Sequence, residues 1–176
     1  VPFEVSVQWL SKIYEKPDKL LKENQNKIFG IKVKSQAMER LLVKAAKYSS
    51  RNLPIYIEGE QGTEKVKLAK AIHEMSPRKL NNFIHIDCGL YADSEHIIEK
   101  LFGGEDAPDH AFEKGKKGTI FIQSIDAMPR DCQRLLLAHL ERLKNSDPDE
   151  MPRVIVSSRE NLMNLVETGN FLEGLM

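Results

Sequence analysis

The sequence predicts an α/β fold in which a parallel β-sheet is flanked by helices on both faces, giving three layers. From residue 28 onward, short apolar segments alternate with longer segments whose apolar residues recur at helical spacing. The apolar segments are nearly continuous, as strands buried on both faces usually are. Each is followed by a helical segment after a short connection, which is typical of β-α-β units. We therefore predict one α/β domain over residues 28–176.

The predicted helices follow from apolar spacing and from capping residues. Ser35 is a typical N-cap for a helix that runs to residue 48. The helix predicted at residues 65–75 carries Val66, Ala69 and Ile72 along one side. Further helices are predicted at residues 94–101, at residues 130–143, where leucines recur, and from residue 161 to residue 166.

The predicted strands are the apolar segments between these helices, at residues 54–58, 83–88, 119–122 and 154–156. Cys88 is expected to pack at a strand end, because a buried thiol behaves as a small apolar group. His73 and His85 are expected to be ordinary core or surface histidines and not metal ligands.

Composition excludes several classes of function. The 176 residues are 41% hydrophobic, which suits one domain with a sizeable core. Lys plus Arg and Asp plus Glu both number 26, so charge gives no argument for nucleic-acid or membrane-surface binding. The two cysteines have no metal-ligand spacing, and no apolar run reaches the roughly 18 to 20 residues that a membrane span needs. We expect a cytoplasmic protein without a membrane partner.

Residues 1–27 have a different pattern from the rest, and two interpretations stay open. Val7, Leu10 and Ile13 fall at helical spacing, which suits a linker helix. The segment also resembles the last helix of a receiver domain, with Val1 where that family carries Lys. Because the chain does not begin with Met, we expect it to be a piece of a longer protein.

The connection after the strand at residues 54–58 has the layout of a phosphate-binding loop. A strand leads into a Gly-containing turn and then into a helix whose first residue is a lysine. The full motif also requires Gly before the lysine and Ser or Thr after it, and this loop departs from the motif at both positions. The candidate cofactor-binding residues are Gly59, Gly62, Thr63, Glu64, Lys65 and Val66.

Two chemical alternatives follow from this loop. Lys65 and backbone N–H groups are able to hold a phosphate. Glu64 brings a Cβ atom and a negative charge to a position that favours glycine, and Val66 offers no oxygen to a magnesium ion. The other interpretation is a tight strand-to-helix turn with a solvated Lys65.

The end of the strand at residues 119–122 is the next position where chemistry is expected. NTPases of this layout place an Asp there for magnesium, and many place a Glu beside it to activate water. This chain has Gln123 and Ser124 instead, and neither is a carboxylate. Asp126 lies three residues farther on, where we expect it to point elsewhere.

From residue 28 to residue 176 the chain resembles the AAA+ domain of bacterial sigma-54-dependent transcription activators, including NtrC-type response regulators. The matching residues are collinear and specific: Gly59, Gly62, Lys65, His73, Ser76, Arg78, Cys88, Gly89, Gly103, Glu113, Gly118, Thr119, Phe121, Arg153, Glu167, Gly169 and Phe171. The resemblance implies a P-loop NTPase (AAA+) fold, here without the family's C-terminal lid.

The departures from the family pattern fall on its working parts. Asp87 stands at the family's switch Asn, Arg159 at its sensor Asn, and Leu172 at an Arg that reaches into a neighbouring subunit. The GAFTGA loop that grips the sigma factor belongs between Glu105 and Phe112, where six residues leave no room for it. The resemblance therefore implies no catalytic residue, no metal ligand and no sigma-54 contact.

The leading hypothesis is a non-hydrolysing AAA+-like domain of a transcription regulator that serves as a scaffold or relay. It expects no cofactor, a possible homo-oligomer, and receiver and DNA-binding domains in the same full-length protein. A second hypothesis is a switch that binds ATP or ADP without hydrolysis. A third is a monomeric protein-interaction module.

Overall fold

The computed structural model describes residues 27–28, 31–32, 35–91, 93–104 and 109–176. The predicted linker at residues 1–27 lies outside these residues, apart from Lys27. So does most of the segment where the sigma-contacting loop belongs, since residues 105–108 are not described.

Four parallel strands form the central sheet of the described chain. They are β3 (Ile55–Glu58), β4 (Phe83–Asp87), β5 (Thr119–Gln123) and β6 (Arg153–Ser158), in the spatial order β3-β6-β5-β4. Every neighbouring pair is parallel, as the sequence predicts. Their carboxyl ends therefore meet along one edge of the sheet, which is where α/β proteins place their binding sites.

Six helices accompany the sheet in the described residues: α1 (Gln36–Ser49), α2 (Lys65–Glu74), α3 (Ser94–Phe102), α4 (Ala111–Lys114), α5 (Arg130–Leu143) and α6 (Leu162–Glu167). Ser35 caps α1 as predicted, since its side chain accepts a hydrogen bond from the N–H of Met38 at 3.2 Å. Asp93 and Asn161 cap α3 and α6 in the same way.

The core consists of one apolar cluster on each side of the sheet. Phe121 and Ile155 point from the sheet toward α1 and α2, where they pack with Leu42 and Ile72. Ile120 and Ile122 point to the other side, together with residues of α3, α5 and α6. This alternation along β5 explains its apolar sequence, because both faces of the strand are buried.

The predicted elements differ from the structure mainly at their ends. The β6 strand is longer than the predicted residues 154–156, because Arg153, Ser157 and Ser158 are polar yet buried in the ladder. The prediction lacked α4 and the short antiparallel hairpin of β1 (Lys27–Ile28) and β2 (Ile31–Lys32). Cys88 lies buried just after β4, which confirms its predicted place at a strand end.

Arg153 joins α1 to the opposite, amino edge of the sheet. Its guanidinium donates to the carbonyl oxygens of Tyr48, Ser49 and Leu53 at 2.7, 2.9 and 3.1 Å. These acceptors include the last carbonyls of α1, which have no partner within the helix. Burial lowers the pKa of Arg153 to about 10, which leaves the group protonated at neutral pH.

Within the described residues, the longest helices, α1 and α5, have 14 residues each, and no helix is long and apolar enough to cross a membrane.

Candidate functional site

A cleft of about 540 Å³ lies at the carboxyl edge of the sheet. The loop after β3 forms one wall, and the residues that follow β4, β5 and β6 form the rest. The structure thereby brings together nine of the residues singled out from the sequence: Gly62, Thr63, Glu64, Lys65, Val66, Asp87, Gln123, Ser124 and Arg159. Gly59 opens the same loop, and its N–H donates to the carbonyl of Ser158 at 3.3 Å.

The loop has the left-handed turns that a phosphate-binding loop uses, and one of them falls on a non-glycine residue. Gly62 has a φ of 83°, which suits glycine. Glu64 has a φ of 57° and a ψ of 31°, a conformation that costs a residue with a Cβ atom about 1–2 kcal/mol. The Glu64 carboxylate turns to Lys67 in an ion pair on the surface. Glu64 therefore keeps the backbone shape of the loop at the cost of local strain.

Lys65 lies inside the loop instead of extending into solvent. Its Nζ atom donates to the carbonyl oxygens of Gly59 and Glu60 at 2.6 and 2.7 Å. Thr63 Oγ1 donates to the same carbonyl of Glu60 at 2.7 Å. An ammonium held across the loop in this way stands beside the N-terminus of α2, where backbone N–H groups and the helix dipole also favour an anion.

Gln123 does not point its side chain freely into the cleft. His85 Nε2 donates to Gln123 Oε1 at 2.9 Å, so that the amide joins the ends of β4 and β5. His85 also stacks on Phe121, with ring centroids 5.2 Å apart. His85 is thus a strand residue that orients Gln123, which agrees with its predicted role as an ordinary histidine.

Asp87 and Ser124 occupy the strand ends beside Gln123. Asp87 Oδ1 accepts the N–H of Gly89 at 3.0 Å and so caps a 3-10 turn, Cys88–Leu90. Ser124 has a φ of 55° and begins a second 3-10 turn, Ile125–Ala127. Both residues therefore shape the turns that leave the sheet, and Asp87 keeps one carboxylate oxygen available to the cleft.

Asp126 is almost completely buried and turns toward Arg159, whereas the sequence predicted only that it points away from the expected metal position. Its side chain is 3% exposed, and Oδ2 lies 3.5 Å from Arg159 Nε. Oδ1 accepts the backbone N–H of Arg159 at 3.3 Å. Asp126 thus fixes the segment after β6 and is not among the residues that line the cleft.

Leu172 lies away from the cleft. It packs against the apolar cluster beside α5, and its N–H donates to Gln133 Oε1 at 2.9 Å. Gln133 is buried and bonds the carbonyls of Met128 and Asn170 as well. Leu172, which we predicted to stand at the family's reaching-Arg position, is therefore a packing residue.

The sequence interpretation missed a polar network that joins β3 to the segment after β6. Tyr56 Oη donates to Glu58 Oε2 at 3.0 Å and lies 2.7 Å from Ser158 Oγ. Asn161 Nδ2 donates to the same oxygen of Glu58 at 3.1 Å. Burial raises the pKa of Tyr56, so the phenol stays protonated. No motif marks these residues, because their partners lie about a hundred positions apart in the sequence.

The cleft does not fit the magnesium ion that the family's nucleotide site implies. Magnesium prefers carboxylate, hydroxyl and phosphate oxygens in octahedral arrangement. Val66 offers no oxygen, Gln123 Oε1 already accepts from His85, and Asp126 is paired with Arg159. Among the described residues that line the cleft, Asp87 is left as the single carboxylate outside an ion pair, and one carboxylate supplies too few ligands for an octahedral ion. Among the described residues, no group of three or more His, Cys, Asp or Glu side chains is placed to hold a metal ion.

Comparisons with known proteins agree with this geometry. A signal-transduction and transcriptional-control protein of Clostridium beijerinckii is 34% identical over 157 residues, which cover 80% of this chain and 24% of that protein. The transcriptional regulatory protein GlrR of Escherichia coli K12 is 32% identical over 161 residues, covering 83% and 36%. The chain thus spans about a quarter to a third of these relatives.

Solved structures give the same result. NtrX from Brucella abortus in complex with ATP superimposes with a TM-score of 0.71 at 28% identity, covering 81% of this chain and 35% of NtrX. NtrX in complex with ADP also has a TM-score of 0.71. The P-loop NTPase domain of a sigma-54 activator from E. coli, at 16% identity and a TM-score of 0.56, shares the fold and covers 76% and 95% of the two chains.

A family model described as the sigma-54 interaction domain matches residues 31–176. This match covers the sheet, the loop and the cleft, and the relatives just described are transcriptional regulators. The chain therefore belongs to the family of sigma-54 interaction domains, which have the P-loop NTPase (AAA+) fold.

Proposed function

We propose that this domain does not hydrolyse ATP and serves as a scaffold or relay inside a bacterial transcription regulator. The observation that carries the proposal is the end of β5. The positions of the metal-binding Asp and the water-activating Glu hold Gln123, which is bound to His85, and Ser124, which lies in a left-handed turn. Neither side chain supplies a negative charge to a metal or accepts a proton from water at neutral pH.

Several substitutions at this site each lower the expected rate of ATP hydrolysis, and their effects combine. Phosphoryl transfer depends on positioning and on charge stabilisation, and each such part contributes orders of magnitude in rate. Arg159 at the sensor position is engaged by Asp126, and Leu172 at the reaching-Arg position packs into the core. The buried residues of the two apolar clusters hold the fold, and Leu172 adds apolar packing to one of them.

The segment between Glu105 and Phe112 supports the loss of the sigma contact. Its six residues are too few to hold the GAFTGA loop. Without that loop, hydrolysis has no sigma factor to act on. We therefore do not expect sigma-54 as a direct partner.

The proposed partners are other parts of the same regulator. We expect a receiver domain and a DNA-binding domain in the full-length protein, contact with a second copy of this domain, and a cytoplasmic location. A net charge of zero supports no direct contact with nucleic acid or with an anionic membrane. Light scattering of the purified domain tests self-association: a monomer at every concentration favours a protein-interaction module instead.

Release of phosphate from ATP in the presence of magnesium, at high protein concentration, tests the central proposal. We expect the wild-type rate to equal that of the Lys65→Ala variant, because without hydrolysis both preparations show background only. Turnover above background that disappears in Lys65→Ala would contradict the proposal, since contaminating ATPases are unaffected by this substitution.

We also propose, as a second function, that the cleft binds ATP or ADP without hydrolysis. Lys65, held across the loop, and the N-terminus of α2 supply the charge and N–H groups that phosphates need. NtrX, which shares the fold, has been crystallised with each of these nucleotides. Calorimetry with both nucleotides tests this function: no heat from either, or the same heat in Lys65→Ala, removes it.

A further inference from the structure

Arg159 differs from the other cation of the cleft in how it is held. Lys65 bonds two carbonyl oxygens of its own loop. Arg159 Nε lies 3.5 Å from the buried carboxylate of Asp126 in an ion pair, and its backbone N–H donates to the same carboxylate, while its side chain remains 50% exposed. Within the described part of the chain, its two terminal nitrogens make no hydrogen bond. Because the guanidinium is already held on one side, binding an anion with its terminal N–H groups costs little further side-chain entropy.

Arg159 lies at the same cleft as the phosphate-binding loop. It follows β6, the strand next to β3, and β3 leads into the loop. Arg159, Lys65 and the first residues of α2 line one cleft. The Tyr56–Glu58–Ser158–Asn161 network ties the segment around Arg159 to the strand that carries the loop. The loop and the arginine are therefore held in a fixed relation.

We propose that Arg159 takes the place of a magnesium ion in this cleft, so that the domain binds the phosphates of a nucleoside di- or triphosphate without a metal. The proposal rests on the nucleotide-binding function proposed above. A metal in such a site neutralises phosphate oxygens and fixes their direction. A guanidinium does both through paired N–H donors, whose fork geometry matches phosphate oxygens.

The two carboxylates that line the cleft offer a way to distinguish binding through Arg159 from binding through a magnesium ion. Glu64 is paired with Lys67, whereas Asp87 keeps one oxygen available to the cleft. If a magnesium ion mediated binding, Asp87 would be its ligand, and Asp87→Asn would weaken binding. If Arg159 acts alone, Asp87 only repels the phosphates, and Asp87→Asn strengthens binding.

The experiment is calorimetry of ATP binding in excess EDTA and, separately, in excess magnesium chloride. We expect the wild-type affinity to differ by less than about threefold between the two solutions. Arg159→Ala is expected to weaken binding about tenfold or more in EDTA. Arg159→Lys keeps a charge beside Asp126 but loses the fork, and it is expected to fall between the two. Arg134→Ala, which removes an exposed arginine of α5 outside the cleft, is the matched control and leaves the affinity unchanged.

The outcomes separate this inference from the function on which it rests. Binding that requires magnesium and is lost in Asp87→Asn overturns the inference and leaves nucleotide binding in place. Binding in EDTA that is unchanged in both Arg159 variants also overturns it. No binding in either solution overturns both proposals. A thermal melt of each variant identifies any loss of folding, and Arg159→Lys, which leaves Asp126 paired, keeps the test valid if Arg159→Ala unfolds.

Discussion

Glu64 adopts the backbone conformation that a phosphate-binding loop reserves for glycine. The structure places it at a φ of 57°, directly before the first residue of α2. Its side chain makes no capping hydrogen bond to the helix. The strain of this conformation is therefore intrinsic to the residue type and is removed by glycine.

Glu64→Gly is predicted to raise the free energy of unfolding by about 1 kcal/mol, because relief of the strain exceeds the added freedom of the unfolded chain. Urea denaturation followed by circular dichroism measures the change. We also expect no phosphate release from this variant, since Gln123 and Ser124 remain.

Glu60→Gly is the matched control, because Glu60 lies in the same loop, is exposed and does not have a positive φ. This substitution is expected to lower stability slightly. If Glu64→Gly also lowers it, the Glu64 side chain stabilises the loop by more than the strain costs, and the argument from φ is wrong.

At single positions, the sequence decides the charge of a side chain but not the residue that it contacts. That Gln123 and Ser124 stand where the family has carboxylates stays a prediction. No sequence pattern indicated that His85 binds Gln123 or that Asp126 binds Arg159. These contacts depend on which strands are neighbours, and the chain positions involved are 33 or more residues apart.

At the scale of elements, Arg153 joins the end of α1 to the start of β6. Arg153→Met is predicted to lower the free energy of unfolding by about 3 kcal/mol, because the carbonyl oxygens of Ser49 and Leu53 lose the guanidinium donor and that of Tyr48 keeps only the N–H of Arg51. The apolar side chain of Met offsets part of this loss by removing a buried charge. Urea denaturation measures the difference.

Arg134→Met provides the comparison for Arg153→Met. Arg134 lies on the exposed side of α5 and pairs only with Asp131, three residues earlier. A surface ion pair of this kind contributes between 0 and about 1 kcal/mol. Equal losses in the two variants would show that the carbonyls near Tyr48 find water when Arg153 is absent.

Element type followed from apolar patterning, whereas element ends did not. Apolar patterning predicted β3, β4, β5 and α5 within a residue or two. The predicted β6 strand was too short, because polar residues such as Arg153 and Ser158 are not typical of a strand interior unless their hydrogen-bond partners are known. The prediction also lacked the hairpin of β1 and β2, whose two-residue strands are too short to have a detectable period.

At the scale of the whole molecule, the two sides of the sheet each contain one histidine that burial keeps neutral. His73 Nδ1 lies 2.9 Å from Thr119 Oγ1 on the α2 side, and His139 packs against Phe102 and Phe112 on the α5 side. Burial lowers the pKa of both histidines below the ordinary 6.5. Both sides of the core therefore respond to pH in the same direction.

Stability is predicted to fall as the pH drops below about 6.5. In that range the unfolded chain binds more protons at the two histidines than the folded chain does, so unfolding is favoured. The stabilisation that comes from the two neutral histidines is fully present above about pH 6.5. His96 opposes it weakly, because Asp93 raises the pKa of this exposed histidine. Urea denaturation at about pH 7.5 and at about pH 5.5 measures the difference in the free energy of unfolding.

A His73→Gln/His139→Leu variant is the control for this pH dependence. It is expected to be less stable than the wild type at the higher pH, because Thr119 and the aromatic cluster lose their partner. Its stability is expected to change little between the two pH values. A drop of the same size as in the wild type would assign the effect to other groups.

The overall architecture could be predicted because it depends on repeated patterns. A series of β-α units with buried strands has few arrangements. The parallel sheet followed from this pattern, whereas the order β3-β6-β5-β4 came only from the structure. Hydrolysis, in contrast, depends on the charges that Asp87, Arg159 and Lys65 present to a bound nucleotide, and these charges act over distances that apolar patterning does not encode.

The strand order also has a consequence for how the chain folds during synthesis. Among the strands that the structure describes, β3 pairs only with β6, and Ile55 lies beside Ile155 in the register. The ribosome must therefore add about a hundred residues after β3 before β6 is available to pair with it. Until then, the apolar edge of β3 is open to aggregation, because contacts between distant segments form slowly. Nascent chains that stall before β6 are accordingly expected to need chaperones.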